Sequence, residues 1–320
     1  MKTIHSTTSS EEQKCGGVDV GKAFLDAAIE GGPALRTPNT PEGRAALLAF
    51  FRAHGVACVG LEASGGYELE IRGDLRDAGF EAVLLQPAQV RAYARMTRQR
   101  AKTDRIDAAL IARCVDVLKS PARQEDPRLA ALAERLTFLE QIEEDIARLR
   151  TRRDRFREPD LIARLAAEIK RRVADRKAAL AELIALLRAH DDLAHRFDLI
   201  ESIDGLGPRT ALTLVVRMPE LGSLSREKAA SLAGMAPVTR ESGRWTGQAH
   251  VEGGRSRVGR ALFAAAQAAC QRWNPQLVAF YRRLRAAGKH HSVAVVACAR
   301  KLVIYANTVL ANGRRWVNQC

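Results

Sequence analysis

Two apolar stripes at helical spacing run through residues 127 to 198, and they decide how the rest of the chain can be arranged. Leu132, Leu136, Leu139, Ile142, Ile146 and Leu149 mark the first, and Leu161, Leu165, Ile169, Val173, Leu180, Leu183 and Leu187 mark the second, beyond Pro159. Apolar residues recurring every three or four positions lie on one helix face, and here each stripe is narrow with charged flanks. The stretch has few glycines and breaks at "REPD", which predicts two long helices folded back on each other. Such a hairpin either packs on its own domain or stands out as an antiparallel coiled coil that joins protomers into a dimer or tetramer. Narrow stripes with charged edges favour the coiled coil. The 126–198 segment then separates a zone at 15–125 from one at 199–320, behind a flexible N-terminus at 1–14. A chain of 320 residues is long enough for two domains and a connector.

Residues 15 to 125 alternate short β-like runs with helical ones. "CGGVDV" and "AFLDAAIE" join at Gly21-Lys22, "ALRTPNT" follows, then a helix from Pro41 to about His54, "VACVGLE", a helix from about Tyr67 to Ala78, "EAVLLQP", and a helix after Thr103. The order β-β-β-α-β-α-β-α describes a mixed sheet with helices on its faces, an α/β domain.

Charge is distributed unevenly. The net value is +14, yet residues 240 to 320 hold fourteen Lys and Arg against two acids, whereas the other 239 residues hold 37 against 35. A basic excess gathered at one end points to a polyanion, and nucleic acid is the partner it fits. The same C-terminal zone reads as mostly helical and begins with "LIESIDGLGPRTALTLV", which has the form of a helix-hairpin-helix. Gly205 and Gly207 allow a tight turn, and the amides opening the next helix near Arg209 can take a phosphate oxygen. A plain turn between helices needs glycine too, so this motif is weak by itself. The six cysteines have neither metal-ligand nor disulfide spacing and read as reduced thiols. No apolar run reaches the roughly 20 residues of a membrane span, and "MKTIHSTTSSEEQK" lacks a secretory core, so a cytoplasmic location with no membrane partner is expected.

The acids carry the chemistry. Asp19 sits inside an otherwise apolar first strand, where an unpaired carboxylate is costly. Glu62 ends "VACVGLE", and Asp104 and Asp107 share one face at a helix start. Singly, each has a plainer reading: a strand-end acid meeting solvent, or an N-cap with its capping-box partner. Together they match the set that holds two divalent ions roughly 4 Å apart over a phosphodiester. Hard oxygen ligands select Mg2+ or Mn2+. The run "RAYARMTRQRAK", with Arg91, Arg95, Arg98, Arg100 and Lys102, would hold the backbone being cut.

The segments "GVDVGK", "GLEASGGYE" and "QRAKTDRIDAALIA" resemble the RuvC-like (RNase H-like) DEDD domain of the insertion-sequence one-hundred-and-ten (IS one-ten) family of bacterial transposases. "SLAGMAPVTRESGRWTGQAHVEGGRSRVGRALFAAAQAA", followed by "NPQLVAFYRRLRAAGKHHSVAVVACARKLV", is similar to that family's second domain, with Gly259 departing from the commoner wording. The resemblance runs from about Gly17 to Leu310. It implies that the DEDD acids are Asp19, Glu62, Asp104 and Asp107, and that Ser242 is a nucleophile forming a phosphoserine bond with DNA. It also implies donor and target DNA as partners, with a structured non-coding bridge RNA pairing to both. From the residues alone, Ser242 in "RESGRWTG" is a turn serine. Arg240, Arg244, Arg255, Arg257 and Arg260 around it can neutralise phosphate. Two other readings stay open: a hydrolytic RuvC-like nuclease or junction resolvase, which needs the acids but not Ser242, and a nucleic-acid-binding protein that needs neither.

Overall fold

The computed structural model describes residues 14–97, 104–118, 126–238, 241–242, 245–246 and 250–317, with only the backbone described at 104–106, 118, 241–242 and 245–246. The expected flexible N-terminus lies, but for Lys14, outside them. The chain divides into two compact units, 1–124 and 125–320.

The first unit is built on β1 (Lys14–Val20), β2 (Phe24–Ile29), β3 (Ala34–Pro38), α1 (Pro41–Ala53), β4 (Val56–Glu62), α2 (Glu68–Asp77), β5 (Glu81–Leu85), α3 (Pro87–Met96) and α4 (Asp104–Leu118). Its five strands lie in the order β3-β2-β1-β4-β5. β1, β2 and β3 form an antiparallel meander, while β4 and β5 run parallel to β1. The mixed sheet is as the alternation of periods predicted, with one helix more. The added helix is α3, which starts at Pro87 behind a capping box between Gln86 and Gln89 and takes in Arg91 and Arg95 of the basic run.

Strand alternation divides the two faces. Val18, Leu25, Val59 and Leu61 pack with Leu47 and Phe51 of α1 and with Ile71 and Leu75 of α2. Cys15 and Cys58 point the other way and pack with Val90 of α3 and with Leu110, Ile111, Cys114 and Val115 of α4. α4 lies close on that face because β1 and β4 carry glycine beneath it. A Cβ on Gly17 would strike the Ala108 carbonyl and the Ala112 amide, and one on Gly60 would strike the Val115 side chain.

The second unit opens with α5 (Pro127–Arg153) and α6 (Pro159–Arg188), followed by α7 (Asp191–Glu201), α8 (Pro208–Arg217) and α9 (Arg226–Leu232). Four two-residue strands come next: β6 (Pro237–Val238), β7 (Glu241–Ser242), β8 (Trp245–Thr246) and β9 (His250–Val251). α10 (Ser256–Ala268), a π-helical turn (Ala269–Trp273), α11 (Pro275–Ala286) and α12 (His291–Asn312) complete it. α5 and α6 form the expected hairpin, its helices about 40 and 45 Å long at 1.5 Å per residue. Its base is not a separate body: Leu132, Leu136, Leu139, Leu183 and Leu187 share one core with α7, α8, α10 and α12. The hairpin expected as a zone of its own therefore falls within the C-terminal unit.

α12 corrects one sequence expectation. At 22 residues with a mean hydropathy of 1.6 over its most apolar stretch, it does reach the length and apolarity of a membrane span. Half of that stretch is buried inside the unit, through residues such as Val295, Cys298, Leu302 and Val303, so a core helix accounts for its composition.

Candidate active site

The sheet register brings the N-terminal acids to one end of one face. In the parallel β1–β4 ladder Gly17 pairs with Gly60 and Val18 with Leu61, and the next step places Glu62 beside Asp19. Both are half-buried and share the pleat face of Gly17 and Gly60, the face that α4 covers. α4 runs antiparallel to β1: the Cys15 Sγ lies 3.7 Å from Oδ1 of Asp116 near the helix C-terminus, while Ala108 and Ala112 lie over Gly17. The first turn of α4 thus reaches toward Asp19. Asp107 precedes Ile111 by four residues and shares its helix face, and Ile111 packs over Gly60. Asp104, one turn earlier, begins the helix, and its side chain lies outside the described residues.

A further acid belongs to this row. Asp26 on β2 is the antiparallel partner of Asp19, is buried, and lies 3.7 Å from the Arg36 guanidinium of β3. Sequence reading passed over it, although "FLDAAI" gives the same signal as "GVDV", an aspartate within an apolar strand. Neighbouring carboxylates on one sheet face stand about 5 Å apart at Cβ, and two such charges repel by about 3 kcal/mol at an effective dielectric constant near 20. A cation offsets that repulsion, and the donors are all hard oxygens suited to Mg2+ or Mn2+. Among the described residues, no three His, Cys, Asp or Glu side chains are gathered closely enough to hold an ion. The fit to a divalent metal is therefore one of donor chemistry and backbone placement.

The loop leaving Glu62 is fixed by Glu68. Its carboxylate accepts from the Ser64 amide (3.1 Å), the Ser64 hydroxyl (2.7 Å) and the Gly66 amide (2.8 Å). Burial pushes the Glu68 carboxyl up, but these hydrogen bonds outweigh it and hold the group below its usual range.

Ser242 lies in the second unit, in β7, where it pairs with Trp245 of β8. β6 pairs with β9 outside that ladder, so the described strands form a narrow ribbon with Ser242 in its inner ladder. The Ser242 side chain, Arg240 and Arg244 lie outside the described residues, as do Arg98, Arg100 and Lys102 of the basic run. At the base of the ribbon the Arg255 amide donates to the Leu232 carbonyl at 2.9 Å.

The expected helix-hairpin-helix residues lie between α7 and α8. Gly205 has φ +98, and a Cβ there would strike the Ala269 side chain, so its glycine is required by packing within the unit. Gly207 caps α8 and is exposed. Four of the basic residues expected to meet phosphate form ion pairs with glutamates. Arg209 binds Glu143 (2.9 Å), Arg255 binds Glu220 (2.7 Å), Arg260 lies 3.6 Å from Glu144, and Arg257 binds Glu140. Glu140 also accepts from Arg217 at 3.0 Å. A cleft of about 330 Å3 runs along this network between α5 and α10.

Comparison with known proteins finds matches in both units, the first of them running on through α5. A transposase family model of the DEDD IS110 type matches residues 16–157, and a second, described as "Transposase IS116/IS110/IS902 family", matches 197–282. Two transposase domains in this order define the class. The chain belongs to the IS110 family of transposases. An insertion element IS110 protein of 43.6 kDa from Streptomyces coelicolor is 32% identical over 155 residues, which covers 48% of this chain and 37% of that protein. The chain thus spans little more than a third of that relative. The pilin gene-inverting protein of Moraxella bovis is 25% identical over 313 residues, covering 93% of this chain and 96% of its own length, and its Moraxella lacunata counterpart matches equally.

Proposed function

We propose that the protein is a DNA recombinase of a bacterial insertion element, which breaks and rejoins strands using the acids of its first unit and the serine of its second. The observation that carries this reading is the placement of Asp19 and Glu62 side by side beneath the acid-bearing start of α4. The meander of β1 to β3, with β4 and β5 parallel to β1, supports an RNase H-like, RuvC-like assignment for that unit. A Moraxella relative named for inverting a pilin gene supports recombination as the outcome.

In the reaction, Asp19, Glu62, Asp104 and Asp107 would hold Mg2+ or Mn2+, which supplies charge stabilisation for phosphoryl transfer. The Ser242 hydroxyl attacks phosphorus and forms an O–P bond, the bond to one deoxyribose oxygen breaks, and the serine proton ends on the departing hydroxyl. A hydroxyl from a second strand then attacks the phosphoserine, restoring the serine and sealing the new junction. Bond energy is kept throughout, so no ATP is consumed. Arg209, Arg255, Arg257 and Arg260, together with Arg98, Arg100, Lys102 and Arg244, would contact backbone phosphate, while a structured guide RNA supplies sequence specificity by pairing. The α5–α6 hairpin would act as the coiled coil that joins protomers into a dimer or tetramer.

A plasmid recombination assay tests this with wild type, Asp19→Ala and Ser242→Ala, each with and without the flanking non-coding segment of the element. Recombination by wild type only with that segment, and by neither variant, is the expected result. Strand cutting by Ser242→Ala at the wild-type rate would instead indicate a hydrolytic nuclease.

A further inference from the structure

A large aromatic ring is left in water beside the helix-hairpin-helix turn, on a backbone unusual enough to need a reason. Trp273 is 60% exposed. It ends the π-helical turn Ala269–Trp273, a conformation found in well under 1% of residues and often at functional sites. The Arg272 guanidinium lies 5.2 Å from the centre of the indole ring and presents a cation beside it.

This segment is tied to the hairpin turn from two directions. Asn274 is fully buried; its Oδ1 accepts from the Leu277 amide at 3.1 Å and its Nδ2 donates to the Asp204 carbonyl at 3.0 Å. Ala269, at the start of the π turn, fills the space that a side chain on Gly205 would need. The π turn that carries Trp273 is therefore fixed against the turn at Asp204 and Gly205. The helix that follows Trp273 is basic at its end through Arg283 and Arg285. An exposed ring beside a cation has the two parts of a single-strand site: a flat stacking surface and a positive charge for the adjoining phosphate.

The geometry points to Trp273, flanked by Arg272, as a stacking platform for an unpaired base of a nucleic acid strand. The occupant is a single strand because a base within a duplex has both faces covered by its neighbours, whereas an unpaired base offers a free face to the indole. Strand exchange produces such bases at the broken ends. The inference rests on the recombinase reading for its biological setting, but the binding is measured without it.

Full-length protein is titrated against a fluorescently labelled short oligothymidylate and against a duplex of the same length, using wild type, Trp273→Ala and Trp273→Phe. Trp273→Ala is expected to weaken the single strand about tenfold and the duplex less than about twofold. Trp273→Phe recovers most of the single-strand affinity. Absence of single-strand binding by wild type, equal loss on both nucleic acids, or unchanged affinity of Trp273→Ala overturns the platform. Because the ring is exposed, thermal midpoints of the Trp273 variants stay at the wild-type value, which separates lost contact from lost folding.

Discussion

Asp26 and Asp19 face each other across two strands, which brings two carboxylates together on one sheet face. Like charges directly opposite in a sheet are destabilising, and the Arg36 guanidinium, 3.7 Å from Asp26, offsets part of that cost. If the remaining charge is met by a divalent cation, loading the site stabilises the first unit by mass action. Mg2+ at ten times its dissociation constant adds about 1.4 kcal/mol, read as a rise in Tm. The rise should be present in wild type and Ser242→Ala, and absent in Asp19→Ala and Glu62→Ala. An equal rise in all four would mean that the ion binds elsewhere. Glu140 shows the converse arrangement, one carboxylate serving Arg217 and Arg257 with Arg209 at 3.7 Å. Burial lowers the Arg217 pKa before Glu140 raises it, so that guanidinium depends on its partner. Glu140→Ala removes that partner from a partly buried cation, and should destabilise the second unit by about 3 kcal/mol, measured by the shift of the urea midpoint.

At the scale of elements, the loop between β4 and α2 is held by one carboxylate, and its stability depends on pH in a determined direction. The Glu68 pKa is lowered in the folded state, so its contribution is present above the unfolded value of about 4.3 and is lost as pH falls through the folded value. Glu68→Gln should therefore cost about 1 kcal/mol near neutral pH, and the gap to wild type should close as pH drops below about 4. A gap that persisted at low pH would mean that packing, not ionisation, holds the loop. The elements that were legible in sequence had enough length for a period to show: the five strands, α1, α2, α4 and the α5–α6 stripes. α3 was hidden because only Val90 is buried among its ten residues, and its arginines looked like a basic run. The ribbon at 237–251 was hidden because strands of two residues cannot display alternation. Asp19 and Glu62 stand out in sequence as acids in or at the end of apolar strands, and Asp104 and Asp107 as a pair on one face at a helix start. The partners of Arg209 and Arg257 do not, since Glu143 and Glu140 lie 66 and 117 positions away.

For the whole molecule, the division of labour between units sets the last expectation. The acids and Ser242 belong to separate compact bodies, joined through residues 119–125, and a site assembled from both can draw them from one protomer or from two. If the hairpin joins protomers so that the acids of one serve the serine of another, two inactive proteins can repair each other. In a mixed dimer of Asp19→Ala with Ser242→Ala, one of the two composite sites has both intact acids and an intact serine, and the other has neither. With random pairing half of the dimers are mixed, so roughly a quarter of all sites are whole in a two-fold assembly. Mixing equal amounts of the two variants, with exchange of subunits before DNA is added, should restore recombination to about that fraction of wild type. The double variant Asp19→Ala/Ser242→Ala mixed with wild type gives the control, because it can supply nothing to its partner. No activity in the first mixture, with subunit exchange shown independently, would place acids and serine of each working site in the same chain and leave the hairpin a structural connector.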